Sequence, residues 1–301
     1  MDGIEKAVAE AVRAALGRRR ATLPTEETLE RYLAWQRTRK THKSWSTDRG
    51  YVLRFFAAAG VADLAEVTTA SVTAYLAAMA ESGRSPKTLN RVREVLHTLF
   101  AWLVEQELLD SNPVKRVRRA PEPAPSIRFL TLLEVDELLA TLAAADPLLL
   151  PVGACLVFAG LRRGELCWLR WEDVDLDRRV LLVRSKPGRW TPKTKRNRIV
   201  PISSRLAPVL EALPRSTEWV FPSPKGAQWN GDNLGHRWRK VLNATGRAWT
   251  MLDLRHTFGT QLVMKGVSLA KVAALMGNSP EICRRHYAHV STEDLHADVE
   301  F

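Results

Sequence analysis

The sequence predicts a mainly α-helical protein of two domains, a small helical domain followed by a larger helical domain that carries one small antiparallel β-sheet. Three observations carry that expectation. Apolar residues recur at helical spacing over most of the chain. Strand-like text is confined to one region, Arg179 to Ile202. A basic, proline-rich stretch near residue 120 interrupts the helical pattern. A chain of 301 residues is long enough for two cores, and 46% hydrophobic with 26% charged residues is a globular composition.

In the first domain, an apolar stripe of Leu29, Leu33 and Trp35 follows Thr25, a candidate N-cap. After a break at Gly60, a helix is expected around Ser71 to Met79. Ser85-Pro86 then opens a long helix, with the serine as cap and the proline at the first helical position. Leu89, Val92, Leu96, Leu99 and Leu103 form its apolar stripe, and Lys87, Arg91 and Arg93 decorate its other faces as candidate DNA contacts. The boundaries read as an N-terminal extension at 1–22, a helical domain at 23–114, a linker at 115–128 and a second domain at 129–301. Pro121, Pro123 and Pro125 exclude regular helix from the linker and favour an extended spacer. Arg116, Arg118 and Arg119 make it basic, either as a solvated hinge or as a hinge lying along a polyanion.

The second domain opens on a capping box, Thr131 with Glu134, and a following helix from Leu148 to Phe158 is almost wholly apolar and therefore buried. The strand text reads V-L-L-V-R, a turn at Pro187-Gly188, then R-I-V-P-I. Between Asp177 and Glu211 there are ten arginines or lysines and no acidic residue, among them Arg189, Lys193, Lys195, Arg196 and Arg198. So one-sided a hairpin is either a solvated turn or a surface laid against phosphates. Helices resume to the end.

Charge narrows the function. A net charge of +12 and a pI of about 10.0 point to a polyanionic partner, nucleic acid first, because a basic surface gains affinity by releasing counterions. Three cysteines, Cys155, Cys167 and Cys283, in no paired or metal-like spacing, fit a reducing compartment and exclude a disulfide scaffold or zinc finger. No apolar run approaches the ~20 residues of a membrane span, and the acidic N-terminus is unlike a secretory signal, so a cytoplasmic protein is expected.

Four segments stand out in the second domain and its hairpin. G-L-R-R-G-E-L (160–166) places Arg162 one helical turn from Glu165, which can orient it. The hairpin tip is T-P-K-T-K-R-N-R. D-L-R-H-T-F-G-T (253–260) opens an amphipathic helix on Arg255 and His256. M-G-N-S-P (276–280) is followed by R-R-H-Y, ending on Tyr287, the only tyrosine after residue 75. Each is unremarkable alone; an isolated tyrosine is ordinarily a core or rim residue.

In order and spacing the four resemble the tyrosine recombinase family, which includes the phage integrases, and S-P-K-T-L-N-R through N-P-V resembles that family's N-terminal, SAM-like core-binding domain. The resemblance implies a site-specific DNA recombinase or integrase that cuts and rejoins strands through a 3′-phosphotyrosine and a Holliday junction, without metal, ATP or another cofactor. It implies Tyr287 as nucleophile and Arg162 and Arg255 as the clamp on the scissile phosphate. Lys193, with Lys195 as stand-in, would protonate the leaving oxygen, and Glu165 would support the site. Partners implied are double-stranded DNA with inverted-repeat core sites, a dimer on each site, a homotetramer on paired sites, and accessory or directionality proteins. The layout resembles the two-domain recombinases, bacterial or phage-encoded. The last segment, residues 291–301, is either a frayed tail or a helix donated to a neighbouring subunit.

Two positions depart from the family. Leu252 stands where a histidine is expected three residues before the second arginine, and Asn278 where a histidine or tryptophan is expected. Asn278 can hydrogen-bond a phosphate oxygen but cannot move a proton at neutral pH. His256 is the neighbouring group able to substitute as base. Two other readings follow: a catalytically impaired DNA-binding relative, and a type IB topoisomerase-like enzyme.

Overall fold

The computed structural model describes residues 23–123 and 127–287. The chain divides into two compact units, residues 1–124 and 125–301.

Among the described residues the first unit holds four α-helices: α1 (Thr25–Arg37), α2 (His42–Ala59), α3 (Thr69–Glu81) and α4 (Pro86–Glu105). Their stripes meet in a core that includes Tyr32, Val52, Phe55, Leu96, Leu99 and Phe100. Ser85 caps α4 by accepting from Thr88 N, with Pro86 in the first turn. At α1 the start differs from the sequence expectation. Pro24 is the N-cap and Thr25 is already helical, its hydroxyl donating to Val61 O at 2.9 Å instead of closing the helix end.

The basic stretch after α4 is not a free spacer over its first half. Val114 and Val117 are buried in the first core. Asn90 brackets Ala120, donating to its carbonyl at 2.9 Å and accepting from its amide at 2.8 Å, while Arg93 Nε donates to Val117 O at 2.6 Å. Apolar side chains every third residue and two hydrogen-bonding side chains on α4, Asn90 buried and Arg93 half-buried, outweigh the extended preference of the prolines, which follow only from 121 onward.

The second unit contains α5 (Leu132–Ala145), α6 (Leu149–Ala159), α7 (Arg163–Cys167), α8 (Ala207–Glu211), α9 (Gly231–Ala244), α10 (Met251–Met264), α11 (Leu269–Met276) and α12 (Pro280–Tyr287). The capping box at Thr131 and Glu134 forms as expected. The apolar text of α6 becomes the buried centre of the core, packed against α5 and α10. The sheet is antiparallel in the order β1 (Val174–Asp175), β2 (Val180–Val183), β3 (Arg198–Pro201). Val183 lies opposite Arg198 and Leu181 opposite Val200. The two-residue β1 is too short to show an alternation in sequence.

Between β2 and β3 the chain makes a turn within the hairpin, Lys186 and Trp190 exchanging backbone hydrogen bonds of 2.7 and 2.9 Å across Pro187-Gly188. It is anchored at both feet. Trp190 stacks on Trp168 with centroids 6.0 Å apart, and Lys186 Nζ, buried, reaches both oxygens of Asp173 at 2.5 and 2.7 Å.

Candidate active site

The site grows from the end of α6. Gly160 terminates that helix in the left-handed conformation (φ 60°), and the Phe258 ring of α10 fills the space a side chain would need. The chain then places Arg162 at the N-cap of α7, with Leu161 buried beneath it. Glu165, one turn on, accepts from Arg162 N at 2.8 Å and from Arg162 Nη1 at 2.9 Å.

A second arginine closes on the same carboxylate. Arg198, the first residue of β3, gives Glu165 a bidentate pair at 2.9 and 2.6 Å and donates from Nε to Leu275 O at 2.8 Å. Its side chain is only 8% exposed. This corrects the expectation that Arg198 belongs with the outward phosphate contacts: on β3 it faces inward, and its three nitrogens are engaged within the protein. Gly277, also left-handed at φ 62°, lies against the Arg198 guanidinium.

Arg255, on α10 and 5% exposed, is the third. It donates to Gly160 O, to Met276 O at 2.6 Å and to Asn278 Oδ1 at 3.2 Å. Arg162 reaches Gly277 O and the same Asn278 Oδ1, both at 2.6 Å. Asn278 thus bridges the two arginines through a single oxygen.

Three guanidinium groups therefore surround one carboxylate. Burial alone would raise the Glu165 carboxyl, but the hydrogen bonds and charges of Arg198 and Arg162 hold it below the usual glutamate range. Burial, and next the charge of Arg162, push Arg255 down to about 9, still protonated at neutral pH. Three guanidinium groups against one carboxylate leave an excess of positive charge lodged among neutral carbonyl oxygens, a setting that favours an anion with several oxygens.

Tyr287 lies beside this cluster, 1% exposed, at the end of α12. Its ring rests directly on Gly259, where a Cβ would stand 2.6 Å from Cζ and 2.8 Å from the hydroxyl. The hydroxyl is 3.0 Å from His256 Nδ1. Burial pushes the phenol up, against the lowering effect of Arg255. Burial and the neighbouring His286 push His256 down, so its ring is neutral at pH 7.

The fold brings Arg162, Glu165, Arg255, His256, Asn278 and Tyr287 together. It does not do so for Lys193, which is exposed on the hairpin; no hydrogen bond or ion pair among the described residues joins it to the cluster. Leu252, in the first turn of α10, is 59% exposed. Of the expected phosphate contacts, Lys87, Arg116, Arg118, Arg119, Arg189, Lys195 and Arg196 are exposed, but Arg91 and Arg93 are partly committed elsewhere. Arg91 reaches buried Asp48 at 2.6 Å, and Arg93 holds Val117. The sequence reading missed Gly259, whose signal was a glycine one turn beyond Arg255 inside a helix, and the inward role of Arg198, which carried no signal of its own. The 291–301 segment lies outside the described residues.

The family described as "Phage integrase family" matches residues 128–294, and "Phage integrase, N-terminal SAM-like domain" matches residues 27–107. A tyrosine recombinase XerC of Xanthomonas campestris pv. campestris is 27% identical over 291 residues, spanning 91% of this chain and 87% of its own. The fold is that of the Tn1549 transposon integrase solved with transposon right end DNA, with a TM-score of 0.79 at 18% identity over 92% of this chain and 99% of that one. It is also that of a lambda integrase tetramer bound to a Holliday junction, with a TM-score of 0.73 at 18% identity over 89% of this chain and 81% of the other.

Proposed function

The chain belongs to the phage integrase family of tyrosine recombinases, and from that membership we propose that it exchanges DNA strands at paired specific sites with Tyr287 as nucleophile. The carrying observation is the buried cluster in which Arg162, Arg198 and Arg255 face the single carboxylate of Glu165 beside the seated phenol of Tyr287. Such a charge cluster favours a phosphodiester and favours the more highly charged pentacoordinate transition state further.

In this reading the forks of Arg162 and Arg255 hold the two non-bridging oxygens, displacing the carbonyls and Asn278 Oδ1 that occupy them now. The Asn278 amide, its oxygen released, donates to the same phosphate. Glu165 and Arg198 fix the arginines from behind. Tyr287 Oη bonds to phosphorus, the P–O5′ bond breaks, and the departing oxygen takes a proton from Lys193 once the hairpin lies on DNA. The phosphotyrosine keeps the bond energy, so a 5′-hydroxyl from the other duplex rejoins by the reverse step. The lambda integrase tetramer on a Holliday junction supports a homotetramer on two inverted-repeat sites as the working assembly.

The test uses nicked duplexes selected from a randomised pool by binding to the full chain. A covalent protein–DNA band that disappears in Tyr287→Phe, with binding retained, is the expected result. The exposed leucine at 252 favours one other reading, an impaired DNA-binding relative; binding without a covalent band supports that instead. Relaxation of supercoiled plasmid irrespective of sequence points to a topoisomerase-like enzyme.

A further inference from the structure

With leucine at 252 and an amide at 278, neither position can accept the phenolic proton, yet a buried phenol is a poor nucleophile until that proton leaves. The geometry points to His256 as the catalytic proton acceptor for Tyr287, a role that rests on Tyr287 being the nucleophile. Its Nδ1 stands 3.0 Å from the tyrosine hydroxyl, within direct transfer distance.

Two features set this bond apart from a merely structural contact. The first is how tightly both partners are held. His256 follows Arg255 on α10, so the helix that positions one phosphate clamp also fixes the base. Gly259, one turn on, admits the Tyr287 ring close against that helix. The second is electrostatic. The groups facing His256 are Arg255 and Asp253 on its own helix and His286 and Tyr287 on α12, with the His286 ring 5.7 Å away. Of the other helices packed on α10, α6 carries no charged side chain and the Lys271 of α11 is exposed. The balance, burial foremost and then His286, keeps the imidazole neutral at pH 7 and able to accept.

The step balances simply. As Oη bonds to phosphorus, its proton passes to Nδ1 and its O–H electron pair becomes the new P–O bond. The P–O5′ pair leaves with the 5′ oxygen, which is protonated by Lys193. On religation the 5′-hydroxyl attacks phosphorus and gives its proton back to the neutral Lys193 amine, while Tyr287 departs as the leaving group and takes its proton back from the His256 imidazolium. Attack requires the tautomer with Nδ1 bare and the proton on Nε2.

The experiment is single-turnover covalent-complex formation on the selected nicked duplexes, followed from pH 5 to 8, for the full chain, His256→Ala, His256→Asn and Tyr287→Phe. The wild-type rate is expected to fall as pH drops below 6.5, the ordinary histidine value, because His256 titrates no higher than that. His256→Ala and His256→Asn are expected to bind the duplex normally, to cleave roughly 10²–10⁴-fold more slowly and to lose the acid limb. An acid limb of the wild type that persists unchanged in His256→Ala and His256→Asn overturns the role. Recovery in His256→Asn, which keeps a hydrogen bond but cannot take a proton, also overturns it by making the residue a positioning group. Faster cleavage in His256→Ala overturns it as well, since the bond would then be a restraint on a resting tyrosine. A covalent complex surviving in Tyr287→Phe is a separate failure, of the nucleophile itself.

Discussion

At the scale of single residues the site is dominated by a charge imbalance around Glu165. Its carboxylate is nearly fully buried and serves Arg162 and Arg198 directly, with Arg255 4.0 Å away. Removing its charge leaves guanidinium groups buried without compensation, a loss on the order of 3 kcal/mol. Glu165→Gln is therefore expected to be that much less stable at pH 7. The sign with pH follows from the depressed carboxyl. A folded value below 4.5 means the carboxylate stabilises fully above 4.5 and that the contribution disappears as pH falls through the folded value. Denaturant unfolding at pH 7 and at pH 3 checks this, since the gap between wild type and Glu165→Gln must narrow at pH 3. A gap unchanged at low pH would show the effect to be one of shape. Leu252 gives a second expectation. A histidine there lies one helical turn before Arg255 and His256, on their face of α10, so Leu252→His placed in the His256→Ala background is expected to restore cleavage at least tenfold. The motifs made Arg162, Glu165, Arg255 and Tyr287 legible in the chain. The His256–Tyr287 bond was not, because residues 31 apart meet only through the packing of α12 on α10. Nor was the inward turn of Arg198, which depends on the register of β3 against β2 rather than on any local pattern.

At the scale of elements the basic hairpin separates into two kinds of cation. Arg198 is fixed inside the protein, while Lys195 and Arg196 stand exposed on the loop. Each exposed cation that neutralises a phosphate contributes about 1 to the slope of log K against log salt. Arg196→Ala is thus expected to flatten the slope by about 1 with stability unchanged. Arg198→Ala is expected to leave the slope alone and to lower the unfolding midpoint, because it strips Glu165 of its bidentate partner. Titration of DNA binding across salt, beside thermal unfolding, checks both; a change of slope in Arg198→Ala would mean that the side chain reaches DNA after all. The hairpin's feet are the other feature. The Trp190–Trp168 stack, worth about 0.5–1.5 kcal/mol, holds the turn at 186–190 against α7's end. Trp190→Ala should increase tryptic cutting at Lys193 to Arg196 about 2- to 10-fold, with the remaining tryptic sites unaffected. Helix caps and the apolar α6 were readable from local chemistry, as Ser85, Thr131 and Glu134 show. The packing of 114–120 onto α4 was not, because composition reports only that prolines are near and not that Asn90 and Arg93 have backbone to hold.

At the scale of the whole molecule two basic units are carried on one chain, and each owns a core. Tyr32, Phe55 and Phe100 close the first without help from the second, and α5, α6 and α10 close around Leu138, Leu156 and Leu254 in the second. Each half is therefore expected to fold alone when the chain is divided between Ala124 and Pro125, with a cooperative thermal transition of its own. DNA binding should respond differently. With both units tethered, engagement of one raises the effective concentration of the other at its neighbouring groove, and that linkage contributes affinity without any new contact. The two halves mixed in trans are expected to bind a selected duplex about 10²–10⁴-fold more weakly than the intact chain, while the salt slope of each half alone is shallower than that of the whole. Mobility-shift titrations of the intact chain, each half and the mixture measure this directly. Affinity of the mixture equal to that of the intact chain would show that one unit supplies nearly all the binding, and Arg116, Arg118 and Arg119, which travel with the first unit, would then be the first to substitute in search of it.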